Sequence, residues 1–202
     1  MGNGWKSVTS ERKKLHLYNE DLTPMRSRYK VSPETNTYFI TTSTHLWVPI
    51  LFNDTLFQII LNSLKYCQAN KGLRLHGYVI MINHVHTIIS HKDHNEIPNI
   101  IRDFKRHTSK AIKDYLGDLR QFSQLFWVKI FHYKERGQHR TWQKGYHPIA
   151  IKSEAFFQQK LEYIHYNPVK KGFVEKPEDW KYSSARNYLL DDDSLIVIDK
   201  IG

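Results

Sequence analysis

The sequence has a single cysteine and no long hydrophobic run. Cys67 alone cannot support a disulfide framework or a cysteine-based zinc finger. No apolar segment approaches the roughly 20 residues that a membrane-spanning helix needs. The N-terminal segment MGNGWKSVTSERKK has no apolar core of the kind found in a signal peptide. These absences predict a soluble, cytoplasmic protein with no membrane partner.

Positive charge is in excess. The 202 residues include 30 Lys and Arg against 20 Asp and Glu, a formal net charge of +10. The chain is also 40% hydrophobic and 13% aromatic, which is too apolar for a disordered protein. A small folded protein this basic is expected to bind a polyanion, usually a nucleic acid. The alternative is a basic enzyme with no such partner.

The order of predicted elements indicates a ferredoxin-like α+β fold, an antiparallel βαββαβ sheet with helices packed on it. A helix added after it, capped by Ser153, is expected to end at Asn167-Pro168. An earlier helix is expected to begin at Asp54 as its cap and to end at Gly72. The predicted strands cover 36–44, 73–82, 84–91 and 126–133, and the predicted helices cover 53–72, 97–116 and 153–166.

Three regions are expected along the chain: a basic arm at 1–34, one domain at 35–190, and an acidic and apolar tail at 191–202. The apolar part of the tail, SLIVID at 194–199, is open to two interpretations, an extra edge strand or a dimer contact. The protein is accordingly expected to be a monomer or a homodimer.

The stretch NHVHT, residues 83–87, carries two histidines within a predicted strand. Residues two apart in a strand point to the same face, so His84 and His86 project together while Val85 points the other way. Two imidazoles at this spacing can chelate one cation. Taken alone, the pair fits equally well with two polar histidines on a sheet face.

In the third predicted helix, Tyr163 and Asn167 are four residues apart and share a face. A tyrosine on an amphipathic helix usually belongs to the core or its rim. Asn167 before a proline is most simply a capping residue. Tyr166 lies about 100° round the helix from Asn167 and is expected to point elsewhere.

Taken together, these motifs resemble a known family. YVIMINHVHTIIS at 78–90, followed by YIHYNPVKKGFVEKPEDWKYSSARNY at 163–188, is similar to the single-tyrosine HUH transposases. The closer match is to their REP-associated tyrosine transposase branch, over roughly residues 28–190, including RYKVSPETNTYFITTSTHLWVPI at 28–50. The one departure is Ile82-Asn83, where the family usually has Pro-Asn, and it affects a turn rather than a ligand.

The resemblance implies roles for four residues. His84 and His86 match the metal-binding histidines, Tyr163 matches the nucleophile, and Asn167 matches the third ligand. It implies an enzyme that cleaves and transfers single-stranded or hairpin DNA through a covalent 5′-phosphotyrosine. The family implies Mg²⁺ as the cofactor, with Mn²⁺ as a substitute that a two-histidine site should bind well. A prokaryotic, nucleoid-associated location is implied as well.

The residue chemistry is compatible with this mechanism. A phenol with a pKa near 10 is a poor nucleophile at neutral pH and gains from a cation that polarises the phosphate. Two histidines and a carboxamide leave open positions for a phosphate oxygen, as catalytic metal sites do. The chain has no G-x-x-x-x-G-K-[ST] loop, in keeping with strand joining that needs no ATP. No acidic triad stands out, which argues against carboxylate-metal transposases.

Two segments are predicted to contact DNA. The helix segment RDFKRHTSKAIK at 102–113 aligns several cations along one stripe, although a solvated helix face has the same pattern. The segment HYKERGQHRTWQKGYH at 132–147 mixes cations with aromatics that can stack on unpaired bases. The predicted DNA-binding residues are Arg102, Lys105, Arg106, Lys110, Lys113, Arg136, Arg140, Trp142 and Lys144.

Two other functions remain open at this point. One is a non-catalytic nucleic-acid-binding protein on the same scaffold, which the presence of His84, His86, Tyr163 and Asn167 disfavours. The other is a zinc hydrolase, which is disfavoured because no general-base carboxylate is evident near the histidine pair.

Overall fold

A four-stranded antiparallel sheet forms the centre of the computed structural model, which describes residues 34–118 and 140–200. Its strands lie in the order β2-β3-β1-β4, and each neighbouring pair is antiparallel. This is the strand order of the ferredoxin-like fold, so the predicted fold class is confirmed. The strands are β1 (Thr37–Ser43), β2 (Arg74–Ile80), β3 (His84–Ser90) and β4 (His147–Ala150).

Helices cover both faces of the sheet. The helices are α1 (Asp54–Lys71), α2 (Ile97–Asp118), α3 (Glu154–Lys170) and α4 (Ala185–Leu189). Helices α1 and α2 pack on one face, where Leu56 and Phe104 join Val85 in a buried cluster. Helix α3 packs on the other face, where Leu161 and Ile88 belong to a second cluster. Because side chains alternate along a strand, β1, β2 and β3 each supply residues to both clusters.

Helix α3 approaches the sheet closely at Gly77 of β2. A Cβ atom there would lie 2.8 Å from Cδ1 of Leu161, so a larger residue would require the Leu161 side chain to move. His76 forms a bulge beside this glycine, where the register of β2 against β3 shifts. The close approach places the helix that carries Tyr163 directly against the sheet.

Two predicted helix ends are wrong. The cap of α1 is Asn53, whose side chain accepts a hydrogen bond from the backbone N–H of Leu56, and Asp54 is the first helical residue. Ser153 caps α3 as predicted, but α3 runs through Pro168 to Lys170. Pro168 removes only its own backbone N–H from the last turn, and the N–H groups of Lys171 and Phe173 still bond the carbonyls of Asn167 and Pro168.

The fourth strand of the sheet is His147–Ala150, a segment for which the sequence pattern predicted no strand. Among the described residues it pairs only with β1, at the edge of the described sheet, a position where a proline is tolerated. The predicted strand at 126–133 lies outside the described residues, as do residues 1–33 of the predicted arm.

The apolar part of the tail packs on the chain's own core. Ile196 and Ile198 are buried in the cluster beneath α1 and α2. The Asp199 backbone N–H donates to the carbonyl of Leu75 at 2.7 Å, and the Asp199 carboxylate accepts from the Leu75 N–H. The segment therefore lies against one end of the free edge of β2, although it forms no strand of the sheet. Within the described ranges, no helix has the length and apolar character needed to cross a membrane.

Candidate active site

Strand β3 holds His84 and His86 side by side on the face that α3 covers. Their ring centroids are 4.6 Å apart, and both side chains are buried. Val85 points to the opposite face and joins the cluster under α1 and α2. The alternation predicted for NHVHT is therefore present.

Hydrogen bonds orient both imidazoles. Nδ1 of His84 lies 2.7 Å from Oδ1 of Asn83, and the Asn83 Nδ2 donates to the carbonyl of Trp47 at 3.3 Å. With Oδ1 of Asn83 as an acceptor, Nδ1 of His84 carries the proton and Nε2 keeps its lone pair. Nδ1 of His86 bonds the Thr41 hydroxyl at 2.8 Å. Partners of this kind fix the ring orientation of metal-binding histidines.

The electrostatic environment keeps both histidines neutral. Burial, assisted by the charge of Lys171, lowers the pKa of His84 to about 4, although the adjacent Asn167 side chain opposes this shift. Burial also lowers the pKa of His86 well below its usual value, with His84 and Lys160 adding to the effect. At neutral pH both rings are therefore in the form that binds metal ions.

Helix α3 brings Tyr163 and Asn167 over the histidines. The Tyr163 ring lies edge-on to His86, with centroids 5.3 Å apart, and edge-on to Phe39 at 5.8 Å. Phe39 in turn stacks on His86 at 5.2 Å. Tyr163 is 40% exposed, whereas Asn167 is 5% exposed. The helix thus presents its phenol at the rim and its carboxamide inside.

Asn167 has a buried oxygen without a hydrogen bond. Among the described residues, no donor meets full hydrogen-bond geometry at its Oδ1 atom, and the His84 side chain lies beside this residue. A buried polar atom left in this state is unfavourable unless something else binds it. Two neutral imidazoles and this amide oxygen form a donor set that fits a divalent cation with open positions. No cluster of three His, Cys, Asp or Glu residues is found within 34–118 and 140–200, so the set depends on the carboxamide.

Lysines of α3 surround the tyrosine. The Lys160 ammonium lies 5.1 Å from the centroids of Phe39 and Phe156 and 5.8 Å from that of Tyr163. The Lys170 ammonium lies 5.8 Å from the Tyr163 ring. With Lys171 near His84, the site has positive charge on several sides. The sequence analysis gave no role to Lys170 and Lys171. They follow Asn167 by three and four residues, a helical spacing that could have predicted their place near the site.

The stripe on α2 is not brought to this face. Its residues Arg102, Arg106 and Lys110 are exposed, with Asp103 and Asp114 as ion-pair partners. Lys113 lies on the same helix and is half-buried. Because α2 packs on the face opposite α3, the stripe and the histidine pair lie on different faces of the sheet.

Two predicted DNA contacts have structural roles instead. Trp142 is 4% exposed, and its indole N–H donates to the Thr108 hydroxyl at 2.9 Å, so it cannot stack on a base in this arrangement. The Lys105 ammonium donates to the carbonyls of Gln143 and Gly145, and burial lowers its pKa to about 8. Both residues fix the segment that precedes β4.

Two further predicted contacts lie nearer the site. The segment containing Arg140 and Lys144 runs beside the end of β1, since the Gln143 N–H donates to the carbonyl of Ser43. Ser43 pairs with His84 across the sheet. Arg136 lies outside the described residues.

Comparison with known proteins agrees with this arrangement. A family model described as "Transposase IS200 like" matches residues 47–167, which include both histidines, Tyr163 and Asn167. The match covers more than half of the chain. The chain belongs to the IS200-like transposase family.

Individual relatives point the same way. A protein of Haemophilus influenzae (strain Rd) named as a REP-associated tyrosine transposase is 42% identical over 52 residues, 26% of this chain and 28% of that protein. The alignment thus spans less than a third of that relative's length. A solved REP-associated tyrosine transposase bound to a REP hairpin superposes with a TM-score of 0.60 at 20% identity. The superposition covers 87% of this chain and 92% of the solved chain, and it supports the fold.

Proposed function

We propose that this protein is a metal-dependent enzyme that cleaves and rejoins single-stranded or hairpin DNA through a covalent bond to Tyr163. The observation that carries the proposal is the position of the Tyr163 ring, 5.3 Å from the His86 ring, with Asn167 one helical turn further on. A nucleophile, two neutral imidazoles and an unpaired amide oxygen meet where β3 and α3 face each other. Phosphodiester cleavage requires such groups.

In the proposed reaction, the Tyr163 hydroxyl oxygen attacks a backbone phosphorus. The phenolic proton passes to solvent, which the half-exposed ring reaches, and the bond from phosphorus to the 3′ oxygen breaks. The leaving oxygen takes a proton and becomes a free 3′-OH, while the 5′ phosphate stays on Tyr163 as an ester. A 3′-OH can later attack this ester and restore a phosphodiester, so no ATP is consumed.

His84, His86 and Asn167 would hold the divalent cation. When bound, the ion offsets charge on the phosphate and positions it for in-line attack. Asn83 and Thr41 keep the imidazoles in place from behind. Mg²⁺ is the proposed ion in the cell, and Mn²⁺ should serve at least as well in vitro because imidazole ligands favour it.

Lys160 and Lys170 are proposed to contact the phosphate on which Tyr163 acts. Both ammonium groups lie beside the Tyr163 ring. In the sequence, Lys160 precedes Tyr163 by about one helical turn, and Lys170 follows it by about two turns. A phosphate placed at the tyrosine would therefore lie near both cations. The net charge of +10 suits a DNA substrate. The solved relative bound to a REP hairpin makes hairpin DNA the proposed substrate class.

The test is a search for the covalent intermediate. The full-length protein is incubated with labelled single-stranded and hairpin DNA and Mg²⁺ or Mn²⁺, then separated in denaturant. We expect a protein–DNA adduct with either metal and none in excess chelator. A protein that binds DNA without forming an adduct would be a binding protein on the same scaffold. Release of product without an adduct would indicate a metal hydrolase.

His84→Ala and His86→Ala provide the matched test of the metal site. Each should remove most of the metal-dependent adduct, because each deletes one imidazole of the donor set. His91→Ala is the control, since that histidine bonds the backbone at Asp93 and lies outside the site. Full adduct formation by the His84 and His86 variants, or in chelator, would rule out the metal role.

A further inference from the structure

The segment after β1 holds an exposed tryptophan in an unusual backbone conformation. Leu46 and Trp47 both have positive φ, 54° and 58°, a left-handed region that side chains other than glycine seldom adopt. No residue of the short turn His45–Trp47 is buried, and Trp47 is 49% exposed. Burial in the core therefore does not account for the conformation. Such strain tends to occur where binding requires it.

Hydrogen bonds tie this turn to the metal-site histidine. The Thr44 N–H donates to the carbonyl of Asn83 at 2.9 Å, and the Asn83 side chain donates to the carbonyl of Trp47. Asn83 also accepts the bond from Nδ1 of His84. The position of Trp47 is thereby coupled to the position of a proposed metal ligand.

The indole extends the row of rings at the site. Trp47 lies edge-on to His84 with centroids 5.7 Å apart, and His84 is followed by His86 and then Tyr163. Trp47 and Tyr163 thus stand at opposite ends of the histidine pair. Both are partly exposed, whereas the histidines between them are buried.

We propose that Trp47 is a stacking platform for an unpaired nucleobase next to the phosphate at which Tyr163 acts. The inference rests on the proposed function, because it places the DNA strand along this row of rings. Positive charge favours a nucleic acid over a protein as the occupant, since Lys160, Lys170 and Lys171 lie around the same site. A base offers a π face to the indole while its flanking phosphates meet the lysines.

The first test measures binding without chemistry. Wild type, Trp47→Ala and Trp47→Phe are titrated with single-stranded oligodeoxynucleotide in chelator, at several salt concentrations. Trp47→Ala should weaken binding by roughly 5- to 150-fold and Trp47→Phe by less. The salt slope should stay unchanged, because every cation that binds a phosphate is retained. Tyr66→Ala is the matched control: it removes an exposed aromatic from α1, on the other face of the sheet.

The second test locates the base. Oligonucleotides with an abasic site at each position in turn are compared for wild type and Trp47→Ala. One abasic position should weaken wild type and leave Trp47→Ala unaffected. Equal affinity of wild type and Trp47→Ala for every oligonucleotide would overturn the inference. If the variant unfolds, Trp47→Phe provides the comparison, and the DNA-induced quenching of tryptophan emission that wild type shows and Trp47→Phe lacks reports on Trp47, one of five tryptophans.

Failure of the inference is distinguishable from failure of the proposed function. Adduct formation by wild type with unaltered binding by Trp47→Ala would overturn the platform alone. Loss of binding by Trp47→Ala without any wild-type adduct would support the platform and overturn the nuclease function.

Discussion

The Tyr163 ring on α3 lies edge-on to the His86 ring on β3, with centroids 5.3 Å apart, although 77 positions separate the two residues in the chain. The contact depends on α3 lying flat against the sheet, which Gly77 permits by leaving room for Leu161. The tyrosine thus reaches the histidines through the packing of one helix on one sheet face.

The lysines beside Tyr163 should act on the reaction itself. We expect the double variant Lys160→Ala/Lys170→Ala to form the adduct roughly 10- to 100-fold more slowly at saturating DNA. The reason is that both substitutions remove cations next to the phosphate, where negative charge develops in the transition state. Lys160→Arg in an otherwise wild-type chain should keep most activity. Lys65→Ala, on α1 at the opposite face, is the control. An unchanged single-turnover rate in the double variant would exclude this role.

The stripe on α2 should act on affinity alone. Replacing Arg102, Arg106, Lys110 and Lys113 by Ala is expected to reduce the salt slope of DNA binding by roughly 0.7 to 0.9 for each phosphate that is no longer neutralised. The rate of adduct formation at saturating DNA should not change, because the stripe lies on the other face from Tyr163. If the slope is the same as in wild type, the stripe is a solvated face whose charges pair with Asp103 and Asp114.

Acid should destabilise the fold through its buried histidines. Burial lowers the pKa of His165 to about 4, and its Nε2 bonds the Ser184 hydroxyl at 2.9 Å. The unfolded chain takes up this proton near pH 6.5. The stability that the fold has from keeping His165 neutral is therefore fully present above pH 6.5 and is lost as the pH falls towards 4. For His165 alone this amounts to about 3 kcal/mol.

The measurement is urea unfolding at pH 7 and pH 5 in chelator. His165→Gln, which keeps a polar partner for Ser184, should lose less stability on acidification than wild type does. Identical losses in the two proteins would mean that His165 does not contribute to the pH dependence.

Leu46→Gly should release the strain next to Trp47. Leu46 is 57% exposed and has positive φ, so glycine removes steric strain and sacrifices little buried area. We expect stability to stay level or rise by about 1 kcal/mol, while single-strand affinity falls because Trp47 is held less firmly. Leu46→Ala, which keeps the Cβ atom, is the control. Calorimetry and DNA titration of both variants check this, and clear destabilisation by glycine would contradict it.

Much of the fold followed from local pattern. The predicted strands at 36–44, 73–82 and 84–91 correspond to β1, β2 and β3, and the predicted helices at 53–72 and 97–116 correspond to α1 and α2. The element order over this part of the chain was therefore predicted. The edge strand β4 has four residues with a proline among them, so neither its length nor its composition resembled a strand. The end of α3 was missed because a proline usually stops a helix, whereas here it falls in the last turn.

The site was predictable only in part. Spacing places His84 with His86 and Tyr163 with Asn167, but which sheet face α3 covers depends on tertiary packing. Trp142 and Lys105 have the composition of a DNA-binding surface, yet the first is buried and the second bonds backbone carbonyls. Trp47 carried no periodic signal, and its importance appears only from its φ value and its contact with His84.

The most direct test of the account compares two neighbouring phenols. Tyr163 and Tyr166 lie on the same helix and are similarly exposed, at 40% and 43%, but only Tyr163 has ring contacts with His86 and Phe39 among the described residues. Tyr163→Phe should abolish the covalent DNA adduct and leave DNA affinity near that of wild type, because only the hydroxyl is removed. Tyr166→Phe should form the adduct normally. An adduct that persists in Tyr163→Phe and disappears in Tyr166→Phe would contradict the account.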